Sequence, residues 1–216
     1  MDLHEAARLR HSVRQYSGKR IEGNVLKLLR EEIDRINSES GLTLELVLDE
    51  PKAFGGLLLK ATTHFKNAMN YISISGPESD DLNWKAGYYG EQAVLYAQTL
   101  GLNTCWALMA KKTECVAGLR NVINISVGYG MTQGVPHKNK PVEKIADLSG
   151  APEWFVNGVE CALLAPTGLN RQDFTFERDG NLVRISAPAS TLKQIDMGIV
   201  KFHFELGAGK ENFEWI

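Results

Sequence analysis

The sequence predicts an α+β chain organised as two lobes, and three observations carry that reading. Helical apolar spacing recurs at residues 25–36, 82–100 and 153–164, between short strand-like runs at 44–48, 71–75 and 122–127. Asp179-Gly180-Asn181 separates two further strand-like runs and signals a hairpin. Prolines and the basic sequence His137-Lys138-Asn139-Lys140 mark an extended connection over 136–152, dividing an N-terminal lobe (1–135) from a C-terminal lobe (153–216).

In order along the chain, Asp2 to Leu9 reads as a short helix. A clearer one follows, with Val25, Leu28, Leu29, Ile33 and Ile36 on an apolar face interrupted by Glu32, and Gly41 closes it. Leu44–Leu48 reads as a strand ended by Pro51, and Lys52 to Lys66 as a helix broken at Gly55-Gly56. Tyr71–Ser75 is a strand stopped at Gly76-Pro77. Leu82–Leu100 is the strongest helix, with Tyr89, Ala93, Tyr96, Ala97 and Leu100 on one face and Gly101 at its end. Its small alanines predict close packing in a central, largely buried position. Gly101–Leu108 turns back into the core, and Val122–Val127 is a strand. In the second lobe, Glu153–Leu164 is a helix, Ala165–Gln172 a loop, and 174–178 with 182–186 the hairpin. Ser190 or Thr191 caps a last helix with Ile195, Ile199, Phe202 and Leu206 buried and Gly207 at its end. The tail from Glu211 to Ile216 carries three large apolar residues and is expected to pack.

Composition narrows the function classes. A chain of 216 residues can bury a substantial core, and 44% hydrophobic with 23% charged residues is ordinary for a globular protein. A net charge of −2 provides no general attraction to nucleic acid or anionic membranes, so neither is expected as a partner. The first residues are polar and charged, unlike a signal peptide, and no apolar run reaches membrane-spanning length. Cys105, Cys115 and Cys161 are odd in number and lack a Cys-x-x-Cys pair. Together with five scattered histidines they predict no disulfide framework and no metal site, and they fit a reducing cytoplasm.

The residues that point to chemistry start at Arg10-His11-Ser12-Val13-Arg14. Two guanidinium forks flanking a hydroxyl match phosphate oxygens, although the stretch taken alone reads first as a solvated basic patch. Lys138-x-Lys140 adds two cations. If the fold joined the two stretches, four positive charges would surround one anion. In isolation the lysines are solvated linker charges, Asn170 is a turn former, Cys105 and Trp106 are core packing, and Tyr88, Tyr89 and Tyr96 are packing. No Ser/His/Asp or Cys/His arrangement is legible.

Taken together, Arg10-x-Ser12-x-Arg14, Gly101-Leu102-x-Thr104-Cys105-Trp106, Gly128-Tyr129, Lys138-x-Lys140-Pro141 and the loop Ala165-Pro166-Thr167-Gly168-Leu169-Asn170-Arg171-Gln172 resemble the nitroreductase-like flavoprotein family over most of the chain. The resemblance implies a nitroreductase-like fold of antiparallel-rich mixed sheets flanked by helices. It also implies an enzyme that moves hydride from NADH or NADPH through flavin mononucleotide (FMN) to a nitroaromatic, quinone or similar small-molecule acceptor in a ping-pong cycle. The flavin then carries the chemistry, and no catalytic side chain is required. Carried over by motif, Arg10, Ser12 and Arg14, with His11 between them, and then Lys138 and Lys140, hold the phosphate. Cys105, Trp106, Ala107 and Leu108 pass along the ring, and Pro166, Thr167, Gly168 and Asn170 contact it from the second lobe.

In ordinary family members the Ala-Pro-Ser loop follows the N-terminal basic motif and reaches across a homodimer. Here it lies in the second lobe, so the chain resembles a single-chain pseudo-dimer, two related lobes packed as an internal dimer, with one complete site per monomer. A homodimer remains the alternative. Two departures stand out: Asp173-Phe174 replaces Pro-Trp, and Gly168 replaces a second Ser. The first keeps open a flavin-binding protein without turnover, such as a sensor or store.

Overall fold

The computed structural model describes residues 1–54, 64–107, 117–189 and 191–216, without the side chains of residues 191 and 192. Helix α1 (Leu3–Leu9) starts where the Asp2 carboxylate accepts the Glu5 backbone N–H at 2.8 Å, which satisfies a donor that the helix leaves unpaired. Helix α2 (Gly23–Ser40) buries Leu29, Ile33 and Ile36 and ends at Gly41, which takes the left-handed conformation (φ 68°). The polar interruption at Glu32 is half-buried at the margin of that face, where it accepts two hydrogen bonds from Arg35 at 2.9 and 2.6 Å.

Strands β1 (Thr43–Val47), β2 (Tyr71–Pro77), β3 (Asn103–Ala107) and β4 (Leu119–Gly128) form one sheet in the order β1-β2-β4-β3, every neighbouring pair antiparallel. β2 lies between two partners and is buried through Gly76, so its side chains are apolar or small on both faces. It runs through Gly76-Pro77 rather than stopping before them, because Gly76 and Pro77 still pair with Arg120 and Leu119 across a register shift. β3 is an edge strand, and that leaves one of its sides open to another segment.

Helix α3 (Leu82–Thr99) is the central element. The sequence face of Tyr89, Tyr96 and Leu100 is only half-buried. Ala86, Gly90, Ala93, Val94, Ala97 and even Glu91 are buried, so the helix is enclosed nearly all round rather than on one stripe. It packs on α2, on the sheet and on the last helix, α5 (Thr191–Ala208). Where α3 and α5 cross, a Cβ on Gly198 would stand 2.1 Å from the Trp84 carbonyl oxygen, and one on Gly87 would stand 2.1 Å from that of Ile195. The two backbones touch, and only glycine permits it.

Helix α4 (Glu153–Ala162) packs along α5. Gly207 does not end α5 as its sequence position suggested. It sits inside the helix, where a Cβ would meet the Asn157 carbonyl oxygen at 2.4 Å, and the chain leaves the helix at Gly209 (φ 75°). Strands β5 (Thr175–Asp179) and β6 (Leu182–Ser186) form the expected hairpin, with Gly180 at φ 58° in the turn. The tail supplies β7 (Glu214–Trp215), parallel to β6, and inserts Phe213 and Trp215 among Trp154, Phe176 and Phe204. One apolar core runs from Ala6 to Phe213 and draws on both halves of the chain. The connection between them contains one short 3-10 turn (Val142–Lys144) and is otherwise without helix or strand over 136–152.

Candidate functional site

The basic stretch attaches to the open edge of β3. Ser12 bridges Thr104 in parallel, and the Val13 N–H donates to the Thr104 carbonyl at 3.0 Å. Tyr16 anchors the stretch from below: its hydroxyl donates to the Val13 carbonyl at 2.8 Å and lies 2.7 Å from the Ser126 hydroxyl. Burial, the largest influence, pushes the Tyr16 phenol far up, which keeps it protonated. Ser12 and Arg14 remain exposed, and His11 is half-buried. Burial, with Arg10 and His137 nearby, lowers the His11 pKa, so at neutral pH the ring is held towards its uncharged form.

Arg10 behaves differently from Arg14. It is 3% exposed, so it belongs to no solvated patch. Its Nη2 reaches the Leu164 carbonyl at 3.4 Å, and its Nε lies 3.8 Å from Glu91 Oε1. That Nε is buried and has no hydrogen-bond partner among the described residues. Glu91, from the middle of α3, is completely buried, and its two oxygens are used by others. Oε1 takes His203 Nε2 of α5 at 2.9 Å, and Oε2 takes the Trp106 indole N–H at 2.9 Å. His203 Nδ1 faces Cys161 Sγ of α4 at 4.0 Å. Burial works against a charge on His203. The Cys161 and Glu91 hydrogen bonds and the Glu91 charge together outweigh it and raise its pKa to about 9.

The structure therefore assembles a Cys161–His203–Glu91 constellation that sequence reading did not find. The signal was present as the lone carboxylate of a largely buried helix and an imidazole between two buried phenylalanines. A buried charge requires a partner, and spacing within one element could not name it. Cys161 is 8% exposed and His203 fully enclosed, so the group has no route to a substrate and acts as structure. Cys105 is likewise buried. Burial raises its pKa, against the opposing pull of Arg14, Ser12 and Arg10.

The connection and the 165–172 loop meet in a dense hydrogen-bond set. The His137 ring lies 2.9 Å from the Leu163 carbonyl, Asn170 Nδ2 donates to the Lys138 carbonyl at 2.9 Å, and the Lys140 N–H donates to Gln172 Oε1 at 2.7 Å. Gln172 is 1% exposed and also donates to Leu163 and Asn139, so it bolts the two segments together. Asn170 is thus a specific clamp as well as a turn residue. Leu169, Asn170 and Gln172 all take positive φ (55°, 54° and 46°), a conformation that costs roughly 1–2 kcal/mol per non-glycine residue and persists because these bonds hold it. Pro166 and Thr167 are half-buried and Gly168 is exposed; the Gly168 N–H donates to Asp196 of α5 at 3.0 Å.

Lys140 and Arg10 do not share a visible partner. The Lys140 ammonium donates to Asp173 at 2.9 Å and to the Gln172 carbonyl at 3.1 Å, and Lys193 donates to the other Asp173 oxygen at 2.6 Å. Each instead faces a carboxylate, Lys140 that of Asp173 and Arg10 that of Glu91. Asp173, one of the two departures from the family pattern, is the bridge between the lysines, and their hydrogen bonds hold its carboxyl down at about 2. Beside it lies a cleft of about 360 Å³, walled by Lys140, Lys144, Gln172, Asp173, Thr175 and Ser186 among others. Ala107 is buried at the end of β3, and Leu108 lies outside the described residues.

Segments 10–14, 103–107, 134–140 and 163–173 thus surround one region, with Arg10 bonded to Leu164 and Gly134 packed beside His11 and Ser12. A family model described as "Putative TM nitroreductase" matches residues 2–208.

The chain belongs to this family.

As a nitroreductase-family chain it falls in the oxidoreductase class. It is similar to a solved structure from Thermotoga maritima described as a putative nitroreductase, at 25% identity and a TM-score of 0.69, covering 96% of this chain and 83% of that one. A nitroreductase family protein from Streptococcus pneumoniae shares the fold at 15% identity and a TM-score of 0.54, over 68% of this chain and 99% of that one. No curated protein matches. The family resemblance and the α+β, antiparallel-rich fold read from the sequence both agree with these findings. Among the described residues, no helix is long and apolar enough to cross a membrane.

Proposed function

We propose that this nitroreductase-family chain is an FMN-dependent NAD(P)H oxidoreductase acting in a reducing cytoplasm, passing electrons to a nitroaromatic, quinone or similar small acceptor by a ping-pong cycle. The observation that carries the reading is Arg10. Its guanidinium is buried between the family's motif segments and has an Nε with no acceptor among the described residues, which suits an incoming phosphate oxygen.

The residues fit such a group. Arg10, the exposed Arg14 and the Ser12 hydroxyl provide donors at one end, with Lys138 tied to the clamped loop through its carbonyl and Asn170. β3, carrying Cys105, Trp106 and Ala107, provides an edge whose neighbours in the sheet hold it rigid. Pro166, Thr167, Gly168 and Asn170 form the opposing wall, kept in an otherwise costly conformation by Gln172 and Asp196. Bound FMN would supply hydride acceptance from the nicotinamide and delivery to the acceptor. The protein's own work is to bind the phosphate, hold the ring between the β3 edge and the 165–172 loop, and present backbone donors. No side chain needs to exchange a proton.

Because the 165–172 wall comes from the same chain, the reading requires one flavin per monomer, with the second lobe taking the place of a partner subunit. Asp173 favours a second reading, flavin binding without turnover, since it occupies Lys140 where the family carries Pro-Trp. Purified protein mixed anaerobically with NADH or NADPH separates them: bleaching of the flavin spectrum is expected, and a yellow protein that neither nucleotide bleaches supports the binding-only reading. A protein that takes up no FMN at all sinks both. Mass in solution together with the flavin-to-chain ratio tests the single-chain site.

A further inference from the structure

We propose that Glu91 is the positioning residue for the anion-binding arginine: it balances the charge of Arg10 without consuming its hydrogen-bond donors. The inference rests on the reading that the site takes a phosphate-bearing flavin, and it goes beyond that reading by naming a residue outside every motif that carried it.

A buried guanidinium needs a counter-charge, since the cost of enclosing an unpaired ion is several kcal/mol by general experience. A carboxylate in the usual forked pairing with arginine would supply it, but would also use the donors that a phosphate needs. Here the carboxylate is present and the fork is absent. Glu91 Oε1 is 2.9 Å from His203 Nε2, and Oε2 is 2.9 Å from the Trp106 N–H, so both oxygens are committed elsewhere. Arg10 Nε remains 3.8 Å from Oε1, close enough for charge balance and too far for a hydrogen bond. His203 and Trp106 are therefore what keep Glu91 from closing on Arg10, and their place in the fold enforces this. Glu91 is held on the buried central helix, His203 on the helix crossing it, and Trp106 on the strand that carries the basic stretch at its edge. Cys161 closes the far side of His203 at 4.0 Å.

The two partners make opposite kinds of failure testable. Removing the Glu91 charge leaves Arg10 without its counter-ion and its position. Removing the His203 donor releases Oε1 to bond Arg10 Nε and spend it. Either way the phosphate loses its donor while the ring wall is untouched. The measured quantity is the preference for FMN over riboflavin, which lacks the phosphate, by fluorescence titration of the wild type, Glu91→Gln and His203→Phe, which has no donor to offer Oε1, each checked for native circular dichroism. Both variants are expected to bind riboflavin nearly as the wild type does and to lose about ten-fold or more of the FMN preference, the scale of one charge-assisted hydrogen bond. Should Glu91→Gln fail to fold, His203→Phe carries the test. An unchanged preference in the folded variants, or an equal loss for both flavins, overturns the positioning role. A wild type that binds neither flavin overturns the functional reading instead, and a wild type that binds both alike shows that Arg10 receives no phosphate.

Discussion

Two charge clusters in this molecule use the same ingredients in opposite ways. Arg10, Glu91 and His203 are enclosed at the centre, each 3% exposed or less, and are drawn from the N-terminal stretch, the central helix and the last helix. Lys140, Asp173 and Lys193 lie at the rim, with side-chain exposures of 38%, 32% and 12%, and stitch the connection to the segment after the 165–172 loop and to α5. In the interior, every charge must be matched, because water is not there to solvate a stray one. At the rim, water and salt do much of that work, so the pairing guides geometry more than it stabilises. The cluster that matters most for stability is therefore the one whose carboxylate and imidazole no motif announced.

The comparison breaks most clearly at Glu91. Glu91→Ala removes the acceptor of two hydrogen bonds and the counter-charge of Arg10, and should cost about 3–5 kcal/mol in urea unfolding. A loss below about 1 kcal/mol would show that the centre is solvated like the rim.

A smaller effect with a defined pH signature is expected at His203, which faces Glu91 from α3 and Cys161 from α4, while Arg10 approaches the same Glu91 oxygen. Its pKa is raised from 6.5 to about 9 on folding, so its charge contributes stability that is fully present below pH 6.5 and is lost as pH rises through 9. The melting-temperature gap between the wild type and His203→Gln should be widest at pH 6.5 and below and close towards pH 9.

Asp173 should respond least and at the other end of the scale. Its pKa falls from 3.8 to about 2, so its contribution is present above pH 3.8 and is lost as pH drops through 2. Asp173→Asn should cost roughly 0–1 kcal/mol, shrinking further in high salt. It should also release Lys140. If Lys140 serves the phosphate, FMN affinity rises in that variant, and an unchanged affinity places Lys140 outside the phosphate site.

Much of the fold was legible because it depends on local pattern. Gly41 closes α2, and Gly180 sits in the β5–β6 turn, because each supplies a conformation that other residues resist. The apolar spacing of α2 named its buried face correctly. Where the pattern misled, packing from several sides was the reason. Helix α3 has no single apolar stripe to find because it is covered nearly all round, and Gly207 looked like a terminator when its task is close approach to α4. The site was legible as segments. The placements of Ser12, Cys105, Trp106 and Asn170 follow from the elements that carry them, whereas the partners of Arg10 and Lys140 did not follow from any spacing.

What the sequence determined by itself is the order and kind of most of the described elements, the family, and the residue types offered to an anion. Those rest on interactions a few residues apart, which one-dimensional spacing records. Which cation is buried, which carboxylate answers it and which donor is left unspent was decided only by the tertiary structure. Glu91 meets His203 across 112 residues and Arg10 meets Leu164 across 154, and such contacts exist only once α3 and α5 touch through Gly87 and Gly198.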